Sequence, residues 1–371
     1  MNEAAPAAGT PSPPIKVGLP WWALLFPLLG ALAGIAGLPK LGGIWTPILA
    51  LVLIGAVIGA VHHAEVIAHK VGEPFGTLVL ALAVTIIEVS LIVSLMIAQV
   101  GNAETLARDT LIAAIMIIMA GMLGACFLVG GVKYREQRFT PYGATVGLTT
   151  LSALAVLVLI LPNFTISEAG GAYTPGQLIF VGIVSLILYL TFVLVQTVRH
   201  QPYFLPADPK AAEHDVPPPP ARTAWSALGM LVVALVAVVL LAKGLSPVME
   251  RALVEAELPL ALMPIAIAAV VLAPEGLAAF RAAQRDELQS GINLAIGSAL
   301  AAIGLTIPAV ALVSVVFDLP LTLGANARDM TLLALVLFVS AIGMSRGRVT
   351  VLHGTVHLVI FATYLFTTMV P

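Results

Sequence analysis

The chain has 371 residues, 60% of them hydrophobic and only 10% charged, with 17 Lys and Arg against 19 Asp and Glu. A soluble domain carries about 25% charged residues, so a mean hydropathy of +1.06 excludes an ordinary cytosolic enzyme and a disordered chain. A net charge of −2 offers no basic patch for phosphate backbones, which excludes a nucleic-acid-binding module, and the one cysteine, Cys126, supports neither a disulfide framework nor a cysteine metal site. The composition is that of an integral membrane protein whose first partner is lipid.

Residues 1–17 contain four prolines and no apolar core, and they read as a flexible tail rather than a signal peptide. Behind them follow eleven apolar runs of the length a bilayer requires, about 20 residues each. They cover 18–37, 44–61, 76–100, 110–131, 142–161, 176–198, 224–242, 258–280, 292–317, 330–345 and 349–370. The apolar stretches are continuous and do not alternate, so helices are expected and a β-barrel is not.

With eleven spans, twelve basic residues fall on the side of the N-terminus: Lys16, Lys70, Lys133, Arg135, Arg138, Arg199, Lys210, Arg222, Arg281, Arg285, Arg346 and Arg348. The other side holds five, Lys40, Arg108, Lys243, Arg251 and Arg328. The excess of positive charge places the N-terminus in the cytoplasm and the C-terminus outside a bacterial inner membrane.

The polar segment 199–222, with prolines 217–220, reads as a semi-rigid connector. It divides the chain into an additional helix at 18–37, a five-helix half at 44–198 and a second at 223–371. An odd number of spans makes the two halves enter the membrane from opposite sides, as in inverted-repeat transporters. The expected fold is an all-α polytopic membrane protein of eleven helices.

Almost every ionisable residue sits at the end of a run. Glu88 does not: it lies inside GTLVLALAVTIIEVSLIVSLMIA. A charge at a helix centre costs about 2.5–3.5 kcal/mol on insertion scales, so it needs a partner, a proton or a water-filled cavity; the alternative is a permanently protonated packing residue. Glu275, in LPLALMPIAIAAVVLAPEGLAAF, is the second, between Pro274 and Gly276. Pro264 and Pro274 lead us to expect a broken span there, with carbonyls free to line a cavity. Glu275 could instead sit at the membrane end, paired with Arg281 or Arg285. Each glutamate is in the second span of its half, so the two are candidates for equivalent positions near the midplane. A carboxylate pair can bind a cation or take protons, but not both together, and that competition is the chemistry of an antiporter.

The stretches HHAEVIAHKVGEPFGTLVLALAVTIIEVSLIVSLM (62–96), PEGLAAFRAAQRDELQSGINLAIGSALAAIGLTIPAVAL (274–312) and GRVTVLHGTVHLVIFATYLF (347–366) resemble the calcium/proton (cation/proton) exchangers of the cation/calcium exchanger superfamily, bacterial ChaA type. The resemblance implies ten core helices in two inverted halves plus one N-terminal helix, and it puts the transported ion on Glu88 and Glu275. No cofactor is implied beyond the cation, Ca2+, Na+ or K+, and the proton.

The sequence departs from the family in its donors. Thr85-Ile86-Ile87-Glu88 and Leu272-Ala273-Pro274-Glu275 lack the usual amide, Ile117 and Ile118 stand where a Ser-Asn pair is frequent, and Ala301 and Ala302 follow Gly297-Ser298. Calcium prefers six to eight oxygens. Two carboxylates with Thr85, Ser298, carbonyls and water make a sparse set, and sodium or potassium therefore stands beside calcium.

His62, Glu65, His69 and Glu73, spaced 3, 4 and 4, share a helical face before the third span. They could relay protons, sense cytoplasmic pH, attract cations, or form a solvated face; the resemblance favours Glu65. His353 and His357 share a face of the last span and could line the ion path or simply pack. Together these histidines invite a rival reading, a zinc-dependent membrane hydrolase, although neither His-Glu-x-x-His nor His-x-x-Glu-His occurs. A channel or uniporter without proton coupling is the alternative within transport. Glycines 121, 124, 130 and 131 in the fourth span and 297 and 304 in the ninth read as close-packing or sliding positions.

Overall fold

The computed structural model describes residues 19–72, 75–97, 103–204 and 218–370, and of residues 75–78 and 80 only the backbone. Eleven helical rods follow one another in these residues: α1 (Trp21–Ile35), α2 (Trp45–Val71), α3 (Phe75–Ile97), α4 (Leu106–Tyr134), α5 (Pro141–Phe164), α6 (Pro175–Arg199), α7 (Ala221–Glu255), α8 (Leu262–Gln284), α9 (Leu288–Phe317), α10 (Ala327–Met344) and α11 (Val351–Met369). Nine are long and apolar enough to cross a membrane, and α1 and the stretch Ala81–Ile97 of α3 are shorter apolar helices. Each rod overlaps one expected span. Helices are what such sequences must form, because hydrocarbon offers no water to satisfy a free backbone group.

Their ends carry local stop and start signals. Pro141 and Pro175 occupy first turns, where a missing N–H costs nothing. Thr174 and Gln177 form a capping box, and the Asn326 side chain accepts from the Asp329 N–H.

Three local features differ from expectation. Helix α7 runs on to Glu255 rather than stopping near 242. Lys243, Glu250 and Arg251 end the apolar run, but none of them breaks a helix; at 1.5 Å per residue the rod is about 52 Å long, well beyond a hydrocarbon core of about 30 Å. Helix α8 is continuous rather than broken. Pro264 falls in its first turn, and Pro274 only leaves the Val270 carbonyl without its helical donor. Helix α4 contains a π-helical segment, Met116–Met122, that its composition does not announce. Of the proline-rich connector, 205–217 lies outside the described residues.

Helix α9 runs through the middle, packed by α3, α5, α6 and α8. Most of its side chains are buried. Rod α4 is packed by α8 and α11, as α9 is by α3 and α6. A second apolar cluster joins α2 and α7 to the buried face of α3 through Val57, Ala60, Ile87, Ala234 and Ala237. Helix α1 lies against α2 and α7. Between α2 and α7 on one side and α3 and α8 on the other is an apolar cavity of about 210 Å³, lined by residues such as Leu53, Leu91, Leu245 and Met263.

The corners interlock reciprocally. Strand β1 (Glu136–Arg138), after α4, pairs antiparallel with β2 (Arg348–Thr350), before α11. At the other end of α5 and α10, Ala172 bridges Thr322. The neighbouring Tyr173 hydroxyl donates to the Leu157 carbonyl at 2.6 Å. Burial pushes that phenol up to about 12, so it keeps its proton across the physiological range.

Close helix approach explains several glycines. A Cβ on Gly131 would meet the Val351 backbone, and one on Gly354 would meet Leu128, so α4 and α11 touch backbone to backbone.

Candidate functional site

Glu88, thirteen residues into α3, and Glu275, thirteen into α8, are each 7% exposed. Both face inward because their neighbours take the outside: Ile86 is exposed while Ile87 is fully buried, and Leu277 is exposed while Leu272 is buried. Among the described residues the ion pairs are His62–Glu65, Arg108–Asp109, Arg138–Glu136 and Arg328–Asp329, and none includes either glutamate. Arg281 and Arg285 are exposed, and Glu275 turns to Ser298 instead.

Both carboxylates draw a hydroxyl from the same helix. The Ser298 hydroxyl of α9 donates to Glu275. The Thr306 hydroxyl, two turns further along α9, donates to Glu88 across 3.3 Å. Eight residues correspond to about 12 Å of rise, so the two contacts are stacked along one rod. Thr85, the hydroxyl expected beside Glu88, is buried but donates to the Ala81 carbonyl of its own helix at 2.9 Å. Each carboxylate can hold a proton, or offer its two oxygens to a cation beside the neighbouring hydroxyl.

Thr306 was not among the expected residues. Threonine is ordinary in an apolar helix. Its only sequence signal is its place two residues before Pro308, in a stretch from Ala299 to Val313 that has no other polar side chain.

Within the histidine stripe, the His62 ring meets Trp22 of α1 at a centroid distance of 5.4 Å. His62 and Glu65 are 3.8 Å apart, with the Glu65 side chain 50% exposed, and His69 is exposed on the same end of α2. Glu73 lies outside the described residues. His63, next to the stripe, is fully buried, with Nε2 2.8 Å from the Ala23 carbonyl of α1. Pro27 has no N–H to offer that carbonyl, and the Pro27 ring packs at Gly59.

His357 is buried between α4, α10 and α11. Its Nδ1 lies 2.7 Å from the His353 carbonyl and must donate to it, leaving Nε2 to accept from Ser340 at 3.1 Å. His353 caps the start of α11 by accepting from the Thr350 N–H. Among the described residues, no three His, Cys, Asp or Glu side chains come together as a metal centre, and the zinc arrangement finds no support there.

A triplet not singled out beforehand, Ala-Arg-Asp, opens both α4 and α10. Arg108 pairs with Asp109 and donates to the Gly324 carbonyl at 2.9 Å; Arg328 pairs with Asp329 and donates to the Thr367 carbonyl at 2.6 Å. These pairs staple helix ends. At the opposite face, Gln137 donates to the Ala283 carbonyl at 2.9 Å and to Asp286 at 2.8 Å, tying the end of α8 to β1.

The profile of the sodium/calcium exchanger protein family matches residues 43–198 and 226–370. The chain belongs to that family. It is 42% identical to the y4hA protein of Sinorhizobium fredii over 360 residues, 95% of this chain and 97% of that one. It is 36% identical over 325 residues to the sodium-potassium/proton antiporter ChaA of Escherichia coli, covering 86% and 87% of the two chains. Among solved structures it shares its fold with native YfkE, at TM-score 0.71 and 16% identity over 94% of this chain and all of that one. The H+/Ca2+ exchanger CAX is similar at TM-score 0.68 and 14% identity, over 92% and 87%.

Proposed function

We propose that this exchanger-family protein is a secondary cation/proton antiporter of the bacterial inner membrane, with its N-terminus in the cytoplasm and its C-terminus outside. The observation that carries the reading is the pair of buried glutamates with no cationic partner among the described residues, each approached by a hydroxyl of α9. Two carboxylates in that setting are costly to keep charged and empty. They load either protons or a cation, and the exchange of one for the other drives transport as the two halves, 44–198 and 223–371, alternate access. The uneven placement of Lys and Arg supports the orientation.

The transported ion is Ca2+, Na+ or K+. The sodium-potassium/proton activity in the name of the Escherichia coli relative favours the monovalent ions, as does the sparse donor set around Glu88 and Glu275. The test is cation-driven proton release from proteoliposomes with an acidic interior, adding each ion separately. Dissipation of the gradient by at least one of them, abolished by Glu88→Gln and Glu275→Gln in folded protein, is the expected result. Cation flux without proton movement would instead indicate a channel, and no response to any ion would overturn the reading.

A further inference from the structure

Threonines in the described helices of this protein repeatedly turn their hydroxyls back on their own backbone. Thr85, Thr110, Thr150, Thr197 and Thr368 each donate to the carbonyl four residues earlier. Thr306 takes another course: fully buried in the central rod, it reaches across to the Glu88 carboxylate. A helical threonine divides between two rotamers, one of which makes the backbone bond. At position 306 the hydroxyl's hydrogen bond goes to Glu88 instead.

The surrounding backbone holds it there. A Cβ on Gly304 would run into Tyr189 of α6, so α9 lies tight against α6 at this turn. Pro308 has no N–H, which leaves the Gly304 carbonyl without its helical donor. The turn bearing Thr306 is therefore pressed from behind by α6 and lacks one rung of its own ladder.

We propose that Thr306 is the positioning residue for Glu88, holding its carboxyl group in both loading states and thereby setting how well a cation competes with protons. This rests on the exchange reading above. A hydroxyl can donate to an ionised carboxylate or accept from a protonated one, so the bond survives either load. While donating it keeps its lone pairs. The ionised form gains more from the donor than the protonated form does, because a hydrogen bond to a charged group is the stronger. Loss of the hydroxyl therefore weakens cation loading more than proton loading.

The experiment compares wild type, Thr306→Val and Thr306→Ser in proteoliposomes, measuring half-saturating Na+, K+ and Ca2+ at pH 7 and pH 9. For the ion that wild type transports, Thr306→Val should raise the half-saturating concentration about three- to tenfold at pH 7. The rise should be smaller at pH 9, where fewer protons compete, and Thr306→Ser should restore most of the loss. A purely structural role would lower the amount or maximal rate of all variants alike and leave this pH-dependent change absent. Half-saturation and pH dependence of Thr306→Val equal to wild type would overturn the proposal, as would a Thr306→Ser no better than valine. Should valine prevent folding, Thr306→Ala and Thr306→Ser carry the same comparison. A wild-type protein that exchanges no cation for protons would sink the exchange reading itself, which is a different result from an active wild type and an unaffected valine variant.

Discussion

The His63 ring nitrogen Nε2 lies 2.8 Å from the carbonyl oxygen of Ala23, the one carbonyl of α1 that Pro27 deprives of a helical partner. A gap in one helix is thus closed by a side chain of the next. Replacing His63 by Leu should lower the stability of the purified protein by about 1–3 kcal/mol, the cost of leaving a buried acceptor unmade. In a Pro27→Ala background residue 27 can donate to Ala23 itself, and the loss on removing His63 should shrink. Thermal unfolding of the four proteins in detergent checks this; equal losses in both backgrounds would contradict it.

The proposed competition of cation and proton at Glu88 and Glu275 has a direct consequence for pH. If a cation displaces one proton on loading, its half-saturating concentration should fall by up to about tenfold per pH unit as pH rises through the range where the site is protonated. Initial rates over a matrix of pH and cation concentration measure the slope. A half-saturation independent of pH would mean that the ion and the proton do not share the site.

Ser298 donates to Glu275. Ser298→Ala should weaken cation loading several-fold while leaving the helix intact, since alanine is the better helix former. Transport kinetics alongside a thermal melt separate the two effects: half-saturation should move and the melting temperature should not fall.

Gly354 and Gly131 let α11 and α4 approach closely. Gly354→Val forces a branched side chain against the Leu128 backbone and should cost about 1–3 kcal/mol through overpacking. The melting temperature and the yield of folded protein should both drop, whichever ion is present.

Much of this arrangement is legible in the residues themselves. All eleven rods coincide with apolar runs because a bilayer imposes length and continuity on any span. Glu88 and Glu275 announce themselves because a carboxylate in such a run is rare. The extension of α7 to Glu255 is hidden, since charge ends a hydropathy run without ending a helix. Thr306 is hidden for another reason: the partner of its hydroxyl lies 218 residues away, not in its own segment. His62 and His63 are adjacent, and only the seating of α1 on α2 decides which one is buried.

The two corner ladders also say something about birth order. Strand β1 ends at Arg138, but its partner Arg348–Thr350 is made more than two hundred residues later, and Ala172 likewise waits for Thr322. During synthesis the early corners therefore stand unpaired, and neither can close until nearly the whole chain has left the ribosome. A chain cut within 205–217 and supplied as two pieces should accordingly close its corners only when both pieces share one membrane.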